Sequence, residues 1–197
     1  MDTSLVAAIK SLDVNDTKRV DALVDEVKNR SLDQPRQIVG LIHTKDLDED
    51  TLAKARLILL QLGDVAFAPL LDSPDSTSPD GLVWDLQTAA GLHRQNQARL
   101  VKRLESLIGD KRPLTPKEQG PFTEEKVPNR RVCDEAYLLM RRLLALEDEE
   151  ASSVNARIFL YSMTEPERDR EIVRLLKSKT WLSLSEQAEM FPDERKQ

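Results

Sequence analysis

The chain has 197 residues, of which 40% are hydrophobic but only 4% aromatic, and its acidic residues outnumber the basic ones to give a formal net charge of −6. This charge argues against a protein that wraps nucleic acid, and no apolar stretch approaches the ~20 residues needed to span a bilayer. The single cysteine excludes an internal disulfide framework. The core must be built from Leu, Ile, Val and Ala, which favours an all-α protein with one domain over residues 1–197.

The first part of the chain has the apolar spacing of amphipathic helices. Residues recur at intervals of three and four in two N-terminal segments, namely Leu5, Ala8, Ile9 and Leu12, then Val20, Leu23, Val24 and Val27. Ser31 and Pro35 mark the start of a third helix. A fourth helix is predicted from Thr51 to Leu62. Gly63 is then expected to take a positive φ as its C-terminal cap, before a short helix that ends near Asp72.

The middle of the chain combines helices with a long proline-rich insertion. Ser78 and Pro79 predict the start of one helix, and Gly109 the end of the next. The stretch of about residues 110–129 then contains four prolines, at positions 113, 116, 121 and 128, so regular helix cannot persist there. We interpret this stretch as an insertion into a helical array.

The helix after the insertion, "RRVCDEAYLLMRRLLALE", is predicted to be the most buried one because two adjacent apolar stripes run along it. Its Cys133 is expected to be a buried thiol. Only a narrow face is expected to reach solvent, and it holds Arg131, Asp134, Arg141 and Arg142.

Two capping boxes are predicted near the C-terminus. Thr164 and Glu167 open one helix, and Ser183 and Glu186 open a short final one. An apolar segment from Val154 to Met163 precedes the first box. The tail "PDERKQ" is expected to be frayed.

The segments "ARLILLQLGDVAFAPLLD" and "RVCDEAYLLMRRLL" resemble the helices of the HEAT-like, or armadillo-like, repeat family. In the second segment Arg131, Asp134 and Ala136 follow the order of the family's Arg-x-x-Asp-x-Ala pattern. The resemblance extends from about Gln34 to Lys177. It implies a short right-handed α-solenoid of antiparallel helical hairpins, whose second helices line a concave surface that receives a partner. It also implies that Asp134 forms an ion pair with an arginine between repeats. An irregular helical bundle is the alternative.

The sequence contains few of the residues and motifs that are typical of metal sites or active sites. The only histidines are His43 and His93, both near predicted helix ends, so we expect no metal site and no cofactor. A nucleophile made of Cys133 and a histidine would need an exposed thiol. The chain also lacks a glycine-rich phosphate loop and a Gly-x-Ser-x-Gly turn. We therefore expect a protein that is not an enzyme.

The function expected from the resemblance is protein–protein interaction or scaffolding, with another protein or a peptide as the partner. Trp84, Asp85, Tyr137 and Arg141 are the candidate partner-binding residues. A regulatory or immunity subunit that blocks one partner is a special case. The alternative is a nucleic-acid-binding protein similar to the HEAT-like DNA glycosylases, with Trp84 and Asp85 in a basic groove, but the acidic charge argues against it.

The first residues of the chain give an expectation for its cellular compartment. Asp2 follows Met1, without a basic and then apolar signal region, so the chain is expected to be cytoplasmic unless a targeting segment has been removed.

Overall fold

The computed structural model describes residues 3–31, 33–45, 47–74, 77–92, 97–115, 129–144 and 153–190. Within these ranges the chain forms eleven α-helices, and an isolated bridge between Pro113 and Arg131 is their only β-type pairing. The prediction of an all-α protein is confirmed for this part of the chain. His93, most of the proline-rich insertion and the tail from Phe191 lie outside the described residues.

The chain divides into two compact units, Met1–Arg94 and Gln95–Gln197, and each is described by itself. The expectation of one domain over residues 1–197 stays a prediction. None of the helices in the described residues has the length and apolar character that crossing a bilayer requires.

The first unit is organised around α4. Its helices are α1 (Thr3–Lys10), α2 (Thr17–Arg30), α3 (Asp33–Ile42), α4 (Glu49–Leu62), α5 (Asp64–Leu71) and α6 (Pro79–Leu92). Helix α4 packs against α1, α2, α3 and α5, and α6 packs against α5. Because α4 has neighbours on several sides, Ala55, Ile58 and Leu59 are fully buried. The apolar periodicity of the sequence thus corresponds to the core of this unit.

Side-chain caps determine where two of these helices begin. Asp16 accepts a hydrogen bond from the backbone N–H of Arg19 at the start of α2. Asp48 accepts one from the N–H of Thr51, at 2.8 Å, and starts α4 two residues before the predicted Thr51. The backbone and hydroxyl donors of Thr51 lower the pKa of Asp48, since they favour the ionised carboxylate.

Gly63 joins α4 to α5 with a backbone conformation that suits only glycine. Its φ is +59° and its ψ is −129°. This confirms the predicted positive φ. Its N–H donates to the carbonyl of Leu60, which satisfies one carbonyl group of the last turn of α4.

The second unit is organised around α8. Its helices are α7 (Gln97–Leu107), α8 (Val132–Leu144), α9 (Ser153–Tyr161), α10 (Glu165–Leu176) and α11 (Lys179–Met190). Helix α8 packs against α7, α9 and α10, and α11 packs against α7 and α10. Cys133, Ala136 and Met140 of α8 are fully buried. Burial of the Cys133 thiol is therefore confirmed.

The two described ends of the proline-rich insertion lie side by side at the N-terminus of α8. The N–H of Leu114 donates to the carbonyl of Arg130 at 2.8 Å, and the N–H of Cys133 donates to the carbonyl of Asp110 at 2.9 Å. The second bond satisfies one of the donors that every helix leaves free in its first turn. The start of the insertion therefore caps α8.

Two expectations about the second unit are wrong. Arg131 and Asp134 do not face solvent, since they are 4% and 0% exposed. The final helix begins at Lys179, ahead of the predicted box at Ser183, because the hydroxyl of Ser178 accepts a hydrogen bond from the N–H of Trp181.

The other capping box is confirmed. The N–H of Thr164 donates to the carboxylate of Glu167 at 2.8 Å, and the hydroxyl of Thr164 donates to the same oxygen. These two bonds lower the pKa of Glu167 because they favour its ionised form.

The conformation of Gly63 leads to a first prediction. A Cβ at this position would meet no atom within 4 Å, so Gly63→Ala is expected to cost only the conformational strain of a positive φ, about 1–3 kcal/mol. Gly40→Ala is the matched control, since Gly40 is exposed in α3 and a Cβ there also meets nothing. It should raise stability by about 0.5–1 kcal/mol. Urea unfolding followed by circular dichroism measures both changes, and equal effects at the two positions would contradict the explanation.

Candidate functional site

The structure places the four candidate partner-binding residues in two pairs, one in each unit. Trp84 and Asp85 lie on α6, and Tyr137 and Arg141 lie on α8. Asp85 and Tyr137 are buried, whereas Trp84 and Arg141 are half-buried. Only Trp84 and Arg141 of the four therefore offer substantial side-chain surface. Their role in partner binding stays a prediction.

Asp85 is the centre of a small polar cluster in the first unit. Its Oδ2 atom lies 2.8 Å from Nε2 of His43, and the hydroxyl of Ser73 donates to the same oxygen. His43 follows α3 and Ser73 follows α5, so the carboxylate links three segments of the chain. In a catalytic Ser-His-Asp arrangement the imidazole lies between the other two groups, whereas here the carboxylate does. The cluster has the geometry of a structural clamp.

Gly81 shows how tightly this clamp is packed. A Cβ added at Gly81 would lie 2.8 Å from Nδ1 of His43 and 2.9 Å from the hydroxyl oxygen of Ser78. Glycine is therefore needed here for close approach rather than for an unusual φ. The imidazole therefore lies directly against α6 at Gly81, while its Nε2 atom contacts the carboxylate of Asp85 on the same helix.

Trp84, next to Asp85, forms a cation–π pair with Arg56 of α4. The guanidinium carbon of Arg56 lies 4.7 Å from the centre of the indole ring. Both side chains are half-buried. No described residue forms a salt bridge with Arg56, and its Nε atom is buried without a hydrogen-bond acceptor. Arg56 and Trp84 thus present an ordered cation at the surface of the first unit, and sequence reasoning missed Arg56 because nothing in α4 marks it as the neighbour of Trp84.

Asp134 is the centre of an ion cluster in the second unit. Its carboxylate lies 2.8 Å from the guanidinium of Arg131 and also accepts a hydrogen bond from the guanidinium of Arg168 in α10. All three side chains are almost completely buried. The bond with Asp134 is the main cause of a raised pKa at Arg131. The expected ion pair of Asp134 is therefore present and joins α8 to α10.

Glu135 forms a second buried cluster beside the first. It lies 2.7 Å from Arg130 and accepts a hydrogen bond from the hydroxyl of Tyr161 in α9 at 2.9 Å. Burial, and then the charge of Glu135, raise the pKa of Tyr161. Arg168 also stacks over the ring of Tyr161, at 5.5 Å from the ring centre. The two clusters together attach α9 and α10 to the start of α8.

Tyr137 and Arg141 lie near a shallow groove along α10. The hydroxyl of Tyr137 donates to Glu171 at 3.3 Å. Burial raises the pKa of Tyr137, and the nearby charge of Arg141 opposes that shift. The groove has a volume of about 300 Å³ and contains charges of both signs. It is lined by Met163, Glu167, Arg170, Glu171 and Arg174.

The described residues contain neither a cluster of metal ligands nor an accessible cysteine thiol. They contain no group of three or more His, Cys, Asp or Glu side chains placed to hold a metal ion. Cys133 is fully buried, and burial raises its pKa to about 11. A thiol with this pKa is protonated near neutral pH, so Cys133 is poorly suited to nucleophilic attack.

A second prediction concerns the Asp134 cluster. Asp134→Ala leaves the buried guanidinium groups of Arg131 and Arg168 without their shared carboxylate, so we expect the second unit to lose about 3–5 kcal/mol. In a Trp84→Phe background Trp181, which lies in the second unit, is the only tryptophan, and its fluorescence reports urea unfolding of that unit. Lys111→Ala removes an exposed pair with Asp169 and should cost less than about 1 kcal/mol. Similar losses for the two variants would contradict a central role for Asp134.

A third prediction concerns the thiol. At about pH 8 Cys133 should react with an aromatic disulfide reagent on the order of 100-fold more slowly in the folded protein than in concentrated urea, because burial limits access and keeps it protonated. The control is Ser183→Cys in a Cys133→Ser background, which places a thiol on an exposed position of α11. Equal rates for the two thiols in the folded protein would be inconsistent with the structure.

Comparisons of the chain with protein-family models, with curated proteins and with solved structures found no match. The resemblance to HEAT-like repeats therefore rests on the sequence segments that carry it.

Proposed function

We propose that the protein is a non-enzymatic protein–protein interaction module. In this proposal its helices form a short right-handed HEAT-like solenoid, and its second helices line a concave face that binds another protein or a peptide. In the proposed array α4, α6, α8 and α10 are the second helices of successive hairpins.

The observation that carries the proposal is the pair of Arg56 and Trp84. Tryptophan and arginine are the residue types most enriched among those that dominate binding energy in protein interfaces. Here the two side chains are stacked and half-buried, and Arg56 has no salt bridge to a described residue. Such an ordered pair can bind a partner without first losing much side-chain entropy.

Contacts between neighbouring second helices support the proposed array. In the first unit Arg56 of α4 lies over Trp84 of α6. In the second unit Tyr137 of α8 donates to Glu171 of α10, and Asp134 of α8 pairs with Arg168 of α10. In each unit two of the proposed second helices are therefore in side-chain contact, which supports a stack of hairpins.

The internal engagement or burial of Asp85, Asp134 and Cys133 supports a binding role as well. Asp85 is engaged with His43 and Ser73, and Asp134 is engaged with Arg131 and Arg168. Cys133 is buried and has a raised pKa. In the proposal these groups stabilise the fold.

The experiment that tests the proposal is affinity capture from lysate of the native host with the tagged full chain, followed by mass spectrometry. One stoichiometric protein should be recovered and should survive nuclease treatment and raised salt. Trp84→Ala should reduce its recovery about tenfold or more, and Arg141→Ala should also weaken it. Leu182→Ala is the control, because Leu182 is exposed on α11 away from these positions in the chain.

Circular dichroism of each variant separates loss of binding from loss of folding. Undiminished capture by folded Trp84→Ala would reject the proposal. Recovery that disappears after nuclease treatment would instead favour the nucleic-acid-binding alternative.

A further inference from the structure

We infer that Arg56 and Trp84 form a receiving site for a carboxylate, supplied by an aspartate or glutamate side chain in a segment of the protein partner. This inference rests on the proposed function and gives the partner a chemical class.

Arg56 differs from the buried arginines of the second unit in its partners. Arg130, Arg131 and Arg168 each contact a carboxylate within the chain. No described carboxylate contacts Arg56, and the difference lies there, since Nε of Arg168 is buried without an acceptor just as Nε of Arg56 is. The positive charge of Arg56 is therefore available to a carboxylate from outside the chain, which can accept charge-assisted hydrogen bonds from the guanidinium group.

The stacking of Arg56 on Trp84 reduces the side-chain entropy that would be lost when a carboxylate binds. The indole of Trp84, at 4.7 Å from the guanidinium carbon, holds the cation in place. The Nε atom of Arg56 is buried whereas the residue as a whole is half-buried, so we place the carboxylate at the terminal Nη groups. These groups can donate two parallel hydrogen bonds to one carboxylate.

An apolar contact lies next to this cation. Leu60 follows Arg56 by four residues in α4 and therefore lies on the same face of the helix. Its side chain is 50% exposed, which is unusual among the leucines of this unit. The site thus fits an acidic residue followed or preceded by an apolar one in the partner segment.

The charges of α4 and α6 favour a carboxylate over a nucleic-acid backbone. Arg56 and Lys54 are their only basic residues, and Lys54 is already paired with Asp50. The acidic residues of the two helices are Glu49, Asp50, Asp80 and Asp85. A phosphate backbone needs several basic contacts, whereas one carboxylate needs one guanidinium.

The experiment selects random peptides of about twelve residues, displayed on phage, for binding to the full chain. Enriched peptides are then synthesised, and their affinities are measured by fluorescence anisotropy. We expect them to share an Asp or Glu whose replacement by Asn or Gln weakens binding about 10- to 100-fold. Arg56→Gln should produce the same loss, and the two changes together should lose little more than either alone.

Two variants control for charge and geometry. Arg19→Gln removes the same charge from an exposed position of α2 and should leave peptide affinity unchanged. Arg56→Lys keeps the charge without the planar fork, so its loss should be intermediate. The variants should retain the circular dichroism spectrum and melting temperature of the parent chain.

The possible results separate this inference from the proposed function. Failure to enrich peptides, enrichment without a required acidic residue, or equal affinity for Arg56→Gln would overturn the carboxylate site. Competition of the peptides by oligothymidylate would also overturn it. The capture experiment with Trp84→Ala tests the proposed function separately. A loss of partner capture in that variant would therefore still support the interaction module if the peptide results overturned the carboxylate site.

Discussion

A fully buried carboxylate in each unit links helices that the rest of that unit depends on. In the first unit Asp85 joins α6 to the residues that follow α3 and α5. In the second unit Asp134 joins α8 to α10 through Arg131 and Arg168. Burying a carboxyl group costs free energy that its hydrogen-bond and ionic partners offset, so each of these groups favours the arrangement of helices that keeps those partners in place.

Charged groups without an internal partner of opposite charge are the exception among these residues. Most ionic groups near the start of α8 bond to each other, and the ends of the proline-rich insertion pack against the same place. Arg56 has a different environment, since Trp84 orders it and no described carboxylate meets it. The absence of a described carboxylate partner at Arg56, in contrast to Arg130, Arg131 and Arg168, is the physical basis of the binding role that we propose for the surface of α4 and α6.

Much of the helical structure follows from local sequence. Apolar spacing located α1, α2 and the core positions of α4 and α8, and glycine chemistry identified the conformation of Gly63. Two helix starts were predicted less well, because Asp48 and Ser178 cap their helices ahead of the residues chosen from the pattern. Several polar residues near a helix start can act as the cap, and local sequence alone does not choose between them.

The sequence by itself determined the helical class, the buried thiol and the pattern of Arg131, Asp134 and Ala136. Only the tertiary structure decided that Arg131 and Asp134 face inward, that Arg168 completes their cluster, and that Arg56 stacks on Trp84. A charged residue on a helix is ordinarily assigned to solvent, and it becomes a core residue only when a distant segment supplies its counter-charge. Arg168 lies 34 residues after Asp134, and no local spacing rule relates residues at that separation.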